Sequence, residues 1–166
     1  MRRNHGIFVA TLALVVGLDR ISKWYIDSTM ALHDSYPVID GLFNITYVRN
    51  PGAAFGFLSN AAPLFRSGFL ITVSTAAVLM ILYYLARNRS AGLLLVTALS
   101  LIVGGAAGNL IDRVLFGNVI DFLDVYVGSY HWPAFNVADS AISVGAILLV
   151  VELFRKRRDE LTAAGE

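Results

Sequence analysis

The sequence predicts a mainly α-helical membrane protein, with four transmembrane helices and a small β-rich subdomain outside the bilayer at the membrane interface. Two observations lead to this prediction. Only 15% of the 166 residues are charged and 57% are hydrophobic, whereas soluble globular chains carry about 25% charged residues. Four apolar stretches also reach the roughly 20 helical residues that are needed to cross the hydrocarbon of a bilayer. The predicted spans are about 6–26, 68–86, 91–113 and 135–154.

The first span is the least obvious, because its basic start and apolar run are also typical of a secretory signal peptide. Arg2 and Arg3 precede the apolar run GIFVATLALVVGL. No cleavage site of small residues follows, and the pattern continues through Asp19, Lys23 and Trp24. We therefore interpret this segment as a retained transmembrane helix whose outer end is polar and aromatic.

The other three spans end at charged residues. The second contains no ionisable group except tyrosines, and a very short turn separates it from the third, which ends at Asp112 and Arg113. The fourth ends in the basic run RKRR, and the tail that follows, DELTAAGE, is expected to be a frayed end. These charges mark where the chain leaves the hydrocarbon.

The two long connections, about 27–66 and 114–134, predict a small sheet. In GLFNITYVRN, the apolar residues Phe43, Ile45 and Tyr47 alternate with polar ones, which is the period of a half-buried strand. VIDFLDVYVG is rich in β-branched and aromatic residues. We expect these strands to form part of one domain that takes in the whole chain.

The distribution of basic residues predicts the orientation. Eight of the thirteen basic residues flank one side of the predicted spans: Arg2, Arg3, Arg87, Arg89, Arg155, Lys156, Arg157 and Arg158. Because cytoplasmic loops carry such an excess of Lys and Arg, we expect both termini inside the cell and the two long connections on the periplasmic side.

Several polar groups fall at the outer ends of the predicted spans, where an ionisable side chain costs from about 2.5 to more than 10 kcal/mol. Helical spacing puts Asp19 and Lys23 on one face of the first helix, and Asn109 and Arg113 on one face of the third. A further polar face begins at Asn136 on the fourth. The orientation above places all three faces at one depth.

A structural role for these charges is an open alternative. Asp19 with Lys23 would be an intrahelical ion pair, and Asp112 with either Arg20 or Arg113 would join two helices. The small residues of GGAAG, residues 104–108, indicate close helix packing.

Asp121 and Asp139 are harder to explain as structural pairs, because neither has an obvious basic partner in the sequence. Two carboxylates held together away from water cannot both ionise cheaply, so the pair keeps one proton. One carboxylate can then take a proton from water while the other donates to a carbonyl oxygen.

Other function classes fit less well. A net charge of +1 disfavours nucleic-acid binding, and the absence of Cys excludes a cysteine nucleophile or thiolate metal site in this chain. No His pair has metal-ligand spacing, and the serines of the fourth span have no neighbouring base. A small transporter or proton relay and a non-catalytic membrane scaffold remain as alternatives, although the inner halves of the later spans hold almost no charge, Glu152 being the exception.

Five ordered sequence blocks make the chain resemble the bacterial lipoprotein signal peptidases, also called signal peptidase II. The blocks are Asp19 with Lys23, NPGAAFG starting at Asn50, GNLIDR ending at Arg113, VIDF containing Asp121, and FNVADS containing Asp139. The resemblance covers nearly the whole chain, and none of the five blocks departs from the family pattern.

This resemblance implies an integral membrane aspartic endopeptidase. It would remove the signal peptide from diacylglyceryl-modified prolipoproteins, cleaving before the lipidated lipobox cysteine. Asp121 and Asp139 match the catalytic pair, which acts through an activated water. Positions that line or brace the site are Asp19, Lys23, Asn50, Gly52, Asn109, Arg113, Asn136 and Ala138. No metal or other cofactor is expected.

The resemblance also implies partners and a location. The expected partners are prolipoproteins with a diacylglyceryl-cysteine and membrane lipids, with no nucleic acid, and globomycin-type peptides are expected inhibitors. We expect a monomer, multi-pass in the bacterial cytoplasmic (inner) membrane, with its active site near the outer leaflet. Because Asp139 lies near a helix N-terminus, whose dipole favours an anion, we expect Asp139 to activate water and Asp121 to hold the proton.

Overall fold

A computed structural model describes residues 2–52 and 61–164 of the chain. In chain order the elements are α1 (Arg2–Thr29), β1 (Ser35–Ile39), β2 (Phe43–Asn50), α2 (Pro63–Arg87), α3 (Leu93–Phe116), β3 (Val119–Val127), β4 (Tyr130–His131) and α4 (Val137–Ala164). Four helices are long and apolar enough to cross a membrane. The predicted fold class, four spans with a small sheet, is confirmed. The bundle end that carries the sheet is called the sheet end below.

The helices extend beyond the predicted spans, because hydropathy marks the part that can lie in hydrocarbon and not the ends of the helix. Helix α2 begins at Pro63, a residue favoured in the first turn because its missing N–H would have no helical partner. Helix α3 ends at Phe116 and is capped by Gly117, which has a φ of 73°. Helix α4 continues to Ala164, so residues 159–164 of the tail are helical and the prediction of a frayed end was wrong for them, whereas Gly165 and Glu166 lie outside the described residues. The residues of that tail, mostly Glu, Leu and Ala, favour a helix.

The sheet is antiparallel, with the strand order β1-β2-β3-β4. Strands β2 and β3 are the two that the sequence predicted. In their pairing, Asn50 lies opposite Val119 and Val48 lies opposite Asp121, with an irregularity in register between Ile45 and Val48. Strands β1 and β4 were not predicted, because β1 is exposed along its whole length and β4 has only two residues.

An apolar cluster fixes the sheet on the helix bundle. Ile26 on α1, Tyr47 on β2, and Ile120 and Phe122 on β3 are buried together. This cluster lies one turn beyond Lys23 on α1, so it places the middle of β3 next to the polar ends of the helices. Asp121 lies between its two β3 members.

Helix α3 lies at the centre of the bundle and contacts α1, α2 and α4. Glycines permit the close approaches. A Cβ atom at Gly105 would lie 2.2 Å from the carbonyl oxygen of Ala138, and one at Gly108 would lie 2.6 Å from Oδ2 of Asp19. The packing role predicted for this run of small residues is confirmed. Helix α2, by contrast, packs mainly against α3 and contains no buried residue.

We predict that Gly105→Ala lowers the melting temperature, because the added methyl group would overlap the backbone of α4 and the two helices would have to separate. The expected cost is about 1–3 kcal/mol, measured by thermal unfolding in detergent. Gly17→Ala is the matched control, because nothing lies within 4 Å of its added Cβ; alanine favours a helix there and should not lower the melting temperature. Equal melting temperatures for Gly105→Ala and the wild type would contradict the packing argument.

Candidate active site

Asp121 and Asp139 line one cavity of about 220 Å³ at the sheet end. Asp121 is in β3 and is only 3% exposed, whereas Asp139 is in the first turn of α4 and is partly buried. The two residues belong to different secondary-structure elements, and nothing in the sequence shows how these elements pack against each other. The sheet and the fourth helix therefore bring together the two carboxylates that the sequence singled out.

Asn136 connects the two carboxylates directly. Its side-chain amide donates from Nδ2 to Oδ1 of Asp121, at 2.7 Å, and its Oδ1 accepts from the backbone N–H of Asp139, at 2.9 Å. In return, Oδ2 of Asp139 accepts from the backbone N–H of Asn136, at 3.3 Å. This reciprocal pattern is a capping box at the start of α4. The cap of the helix therefore orients Asp139 and also reaches Asp121.

Two more asparagines complete the contacts of the carboxylates. Asn50 Nδ2 donates to Asp121 Oδ2 at 2.9 Å, and Asn109 Nδ2 donates to Asp139 Oδ1 at 2.7 Å. Each carboxylate oxygen thus accepts a hydrogen bond from a neutral amide. Across residues 4–52 and 61–162, neither carboxylate forms an ion pair. Such neutral contacts hold the groups in place without forcing both to ionise.

Burial raises the pKa of Asp121 to about 7, and the neighbouring charge of Asp139 acts in the same direction. The hydrogen bonds from Asn50 and Asn136 oppose this effect, because they stabilise the ionised form. A carboxyl group that keeps its proton near neutral pH can donate it to a carbonyl oxygen.

A buried lysine braces the cavity from behind. Lys23 Nζ lies 2.8 Å from Asp19 Oδ2, 2.8 Å from Asp112 Oδ2 and 2.9 Å from Asn109 Oδ1. Asp112 also forms an ion pair with Arg20. The predicted structural role of Asp19 and Lys23 is thus confirmed in part, because they form an intrahelical ion pair. The same lysine, however, also donates a hydrogen bond to Asn109, which contacts Asp139.

Asp19 extends this network to α4. Its Oδ1 accepts a hydrogen bond from the backbone N–H of Ala138, at 3.1 Å. Ala138 is completely buried, and its Cβ would lie only 3.3 Å from a Cβ at Gly108. The side chain at this position must therefore be small, which the sequence alone did not explain.

Arg113 connects the cavity to the loop that follows β2. Its Nη2 donates to the carbonyl oxygen of Gly52 at 3.1 Å, and the backbone N–H of Gly52 donates to Asn50 Oδ1 at 2.9 Å. Arg20, and not Arg113, is the arginine that pairs with Asp112. The rest of the NPGAAFG motif, from Ala53 onwards, lies outside the described residues.

All ten residues that the sequence singled out lie at this cavity or in the polar network around it. The wall formed by Trp132, Pro133 and Phe135 was not predicted as part of the site, whereas Ser143, which also lines the cavity, is on the polar face predicted for the fourth span. In the sequence, Phe135 is the first residue of the block FNVADS, and Trp132 and Pro133 come just before that block.

Comparison with known proteins gives matches over nearly the whole chain. Residues 11–155 match the family Peptidase_A8, described as Signal peptidase (SPase) II. The lipoprotein signal peptidase of Syntrophus aciditrophicus (strain SB) is 54% identical over 160 residues, which are 96% of this chain and 99% of that protein. That of Geobacter sulfurreducens is 52% identical over 158 residues, 95% of this chain and 98% of the relative.

Two solved structures have the same fold. A bacterial membrane enzyme determined by the in meso method at 2.3 Å resolution superposes with a TM-score of 0.84 at 35% identity, covering 93% of this chain and 91% of that one. A second, at 1.9 Å resolution, has a TM-score of 0.80 at 33% identity, covering 89% and 92%. Because the family match runs from the first helix into the last and two relatives are more than half identical along almost their full length, this chain belongs to the signal peptidase II family of aspartic peptidases.

Proposed function

We propose that this membrane peptidase removes signal peptides from diacylglyceryl-modified prolipoproteins, with Asp121 and Asp139 as its catalytic pair. One observation carries the assignment of the pair: both carboxylates line one cavity and accept hydrogen bonds from Asn136, Asp121 from its side-chain amide and Asp139 from its backbone N–H. Relatives more than half identical are named lipoprotein signal peptidases, which supports the substrate class. The transporter and scaffold alternatives are not favoured by the family match.

The mechanism follows from the different surroundings of the two carboxylates. Asp139 is in the first turn of α4, where the helix dipole stabilises an anion. As the ionised member it takes a proton from a water molecule, whose oxygen attacks the scissile carbonyl carbon. Asp121 gives its proton to the carbonyl oxygen, forming a neutral tetrahedral diol. When the C–N bond breaks, the amine leaves with a proton from Asp139 and the diol returns a proton to Asp121.

The surroundings of the cavity fit a substrate that is held in the membrane. The cavity lies where α4 begins, at one end of the membrane-spanning bundle. Trp132 and Phe135 give its wall an apolar surface. A signal peptide helix and a lipidated cysteine can therefore stay in the bilayer while the bond between them reaches the carboxylates. Globomycin-type peptides are expected to inhibit by occupying the same cavity.

The placement in the cell is part of the proposal. We place the chain in the bacterial cytoplasmic (inner) membrane with both termini inside, so that the cavity faces the outer leaflet. The basic residues at the end of α2 and in RKRR of α4 support this orientation, because they lie at the end of the bundle opposite the cavity. We also propose that the enzyme works as a monomer, since one chain supplies both aspartates.

We predict that Asp121→Asn and Asp139→Asn each lower the rate of cleavage of a diacylglyceryl-modified prolipoprotein by about 10²–10⁴-fold, because each removes a proton donor or acceptor. The assay is cleavage in detergent or lipid by purified protein whose melting temperature shows that it is folded. Asp40→Asn, in the exposed turn between β1 and β2, is the matched control and should cleave normally. If either a folded Asp121→Asn or a folded Asp139→Asn variant cleaves at a near wild-type rate, the two-aspartate assignment is wrong.

The pKa of Asp121, about 7, predicts that kcat/KM falls as the pH rises through neutrality. Asp121 must be protonated to donate to the carbonyl oxygen, and raising the pH through this pKa removes the proton. The fall should approach tenfold per pH unit on the alkaline side. A pH–rate profile of the wild type, beside Asp40→Asn, measures it. A rate that stays constant from about pH 6 to 9 would contradict the role of Asp121 as the proton donor.

The proposed substrate class can be tested separately from the mechanism. The wild type is expected to cleave a prolipoprotein that carries the diacylglyceryl group and to cleave the unmodified form at least about 10²-fold more slowly, because the lipid holds the scissile bond at the depth of the cavity. The measurement is kcat/KM for the two forms of one substrate in the same lipid. Equal values of kcat/KM would show that the enzyme does not recognise the diacylglyceryl group.

A further inference from the structure

We propose that Arg49 is a positioning residue for this peptidase: it fixes the end of β2 so that the next residue, Asn50, reaches Asp121. The inference rests on the proposed catalytic pair, because it concerns a residue that acts through Asn50. Arg49 lies outside the polar cluster around Lys23 and contacts neither carboxylate of the pair.

The guanidinium of Arg49 makes contacts with several elements at once. Nη2 lies 2.6 Å from Asp27 Oδ1, Nε donates to the Tyr47 hydroxyl at 2.8 Å, and Nη1 donates to Asn118 Oδ1 at 3.3 Å. Its Cζ atom also lies 5.9 Å from the ring centroid of Phe116. Asp27 is in the last turns of α1, whereas Phe116 and Asn118 are at the junction of α3 and β3. Arg49 thus ties the end of β2 to both helices.

This tie adds to the pairing of β2 with β3, which holds Arg49 opposite Ile120 and Asn50 opposite Val119. Asn50 is the last residue of the strand, and the pairing with β3 has an irregularity in register between Ile45 and Val48. Side chains alternate along a strand, so Arg49 and Asn50 point to opposite faces. Arg49 can therefore hold the backbone from one side while Asn50 donates to Asp121, at 2.9 Å, on the other.

The hydrogen bond from Asn50 to Asp121, which Arg49 helps to position, affects the pKa of Asp121. The charged groups that face Asp121 are Asp139 on α4, Lys23 on α1 and Arg113 on α3. The hydrogen bond from Asn50 lowers the pKa of Asp121 against the effects of burial and of Asp139. If the end of β2 moves, this hydrogen bond lengthens and the pKa of Asp121 rises. The alkaline limb of the pH–rate profile must then shift to higher pH.

The test compares Arg49→Met with the wild type on a diacylglyceryl-modified prolipoprotein. Arg49→Met keeps an unbranched side chain but removes the guanidinium group and all of its side-chain hydrogen bonds. We expect kcat to fall about tenfold and the alkaline limb to move to higher pH, whereas Arg49→Lys, which can still pair with Asp27, restores part of both. Arg87→Met, at the exposed end of α2, is the control for the loss of an arginine and should leave kcat and the profile unchanged.

A double-mutant cycle separates positioning from general stability. Asn50→Ala should shift the alkaline limb in the same direction, and adding Arg49→Met to Asn50→Ala should shift it no further. If Arg49→Met only lowers the amount of folded enzyme and leaves the limb where it is, Arg49 is a structural residue and the inference is wrong. If Arg49→Met does not fold, Asp27→Asn tests the same tie from its other end, with the same two outcomes.

Failure of this inference is distinct from failure of the proposed function. An active Asp121→Asn enzyme would overturn the catalytic pair, whatever Arg49 does. An inactive, folded Asp121→Asn enzyme together with an unshifted Arg49→Met profile would overturn the role of Arg49 alone.

Discussion

The sheet end of this protein depends on the need to satisfy one buried ammonium group. Lys23 is 1% exposed, and a buried charge is stable only if it is paired and hydrogen-bonded. Asp19 on its own helix, and Asp112 and Asn109 on α3, supply three acceptors within 2.9 Å. Asp19 also accepts from the backbone at the start of α4. A single charge therefore sets the positions of three helices, and with them the position of Asp139.

In the same network, neutral side chains and not charged ones contact the two carboxylates of the pair. An amide, Asn109, stands between Lys23 and Asp139, and further amides, Asn50 and Asn136, contact Asp121. A direct ion pair with Lys23 would favour the ionised form of either aspartate. Neutral amides instead orient the oxygens while leaving the pair able to share a proton. The ion pairs thus build the site, and the asparagines contact the groups that react.

The parts that the sequence predicted are those that depend on local patterns. The four spans, strands β2 and β3, and the polar faces of Asp19 with Lys23 and of Asn109 with Arg113 follow from hydropathy and periodicity. What could not be predicted depends on how elements meet: which of the two candidate arginines, Arg20 or Arg113, pairs with Asp112, that Ala138 must be small because α3 comes so close, and that Arg49 joins β2 to α1. These contacts are set by the glycine-dependent separation of the helices and by the register of the sheet. Neither can be predicted from the sequence of one segment alone.

Helix α2 contains no buried residue and is apolar along most of its length. Lipid chains are fluid and adapt to almost any apolar surface, whereas the partners of α3 are fixed side chains and backbone atoms. Leucine, phenylalanine or valine can thus replace one another along most of α2 with little change in fit. Over evolutionary time this helix is free to drift in sequence at constant hydropathy, while α3 must keep the shape of the residues that it buries.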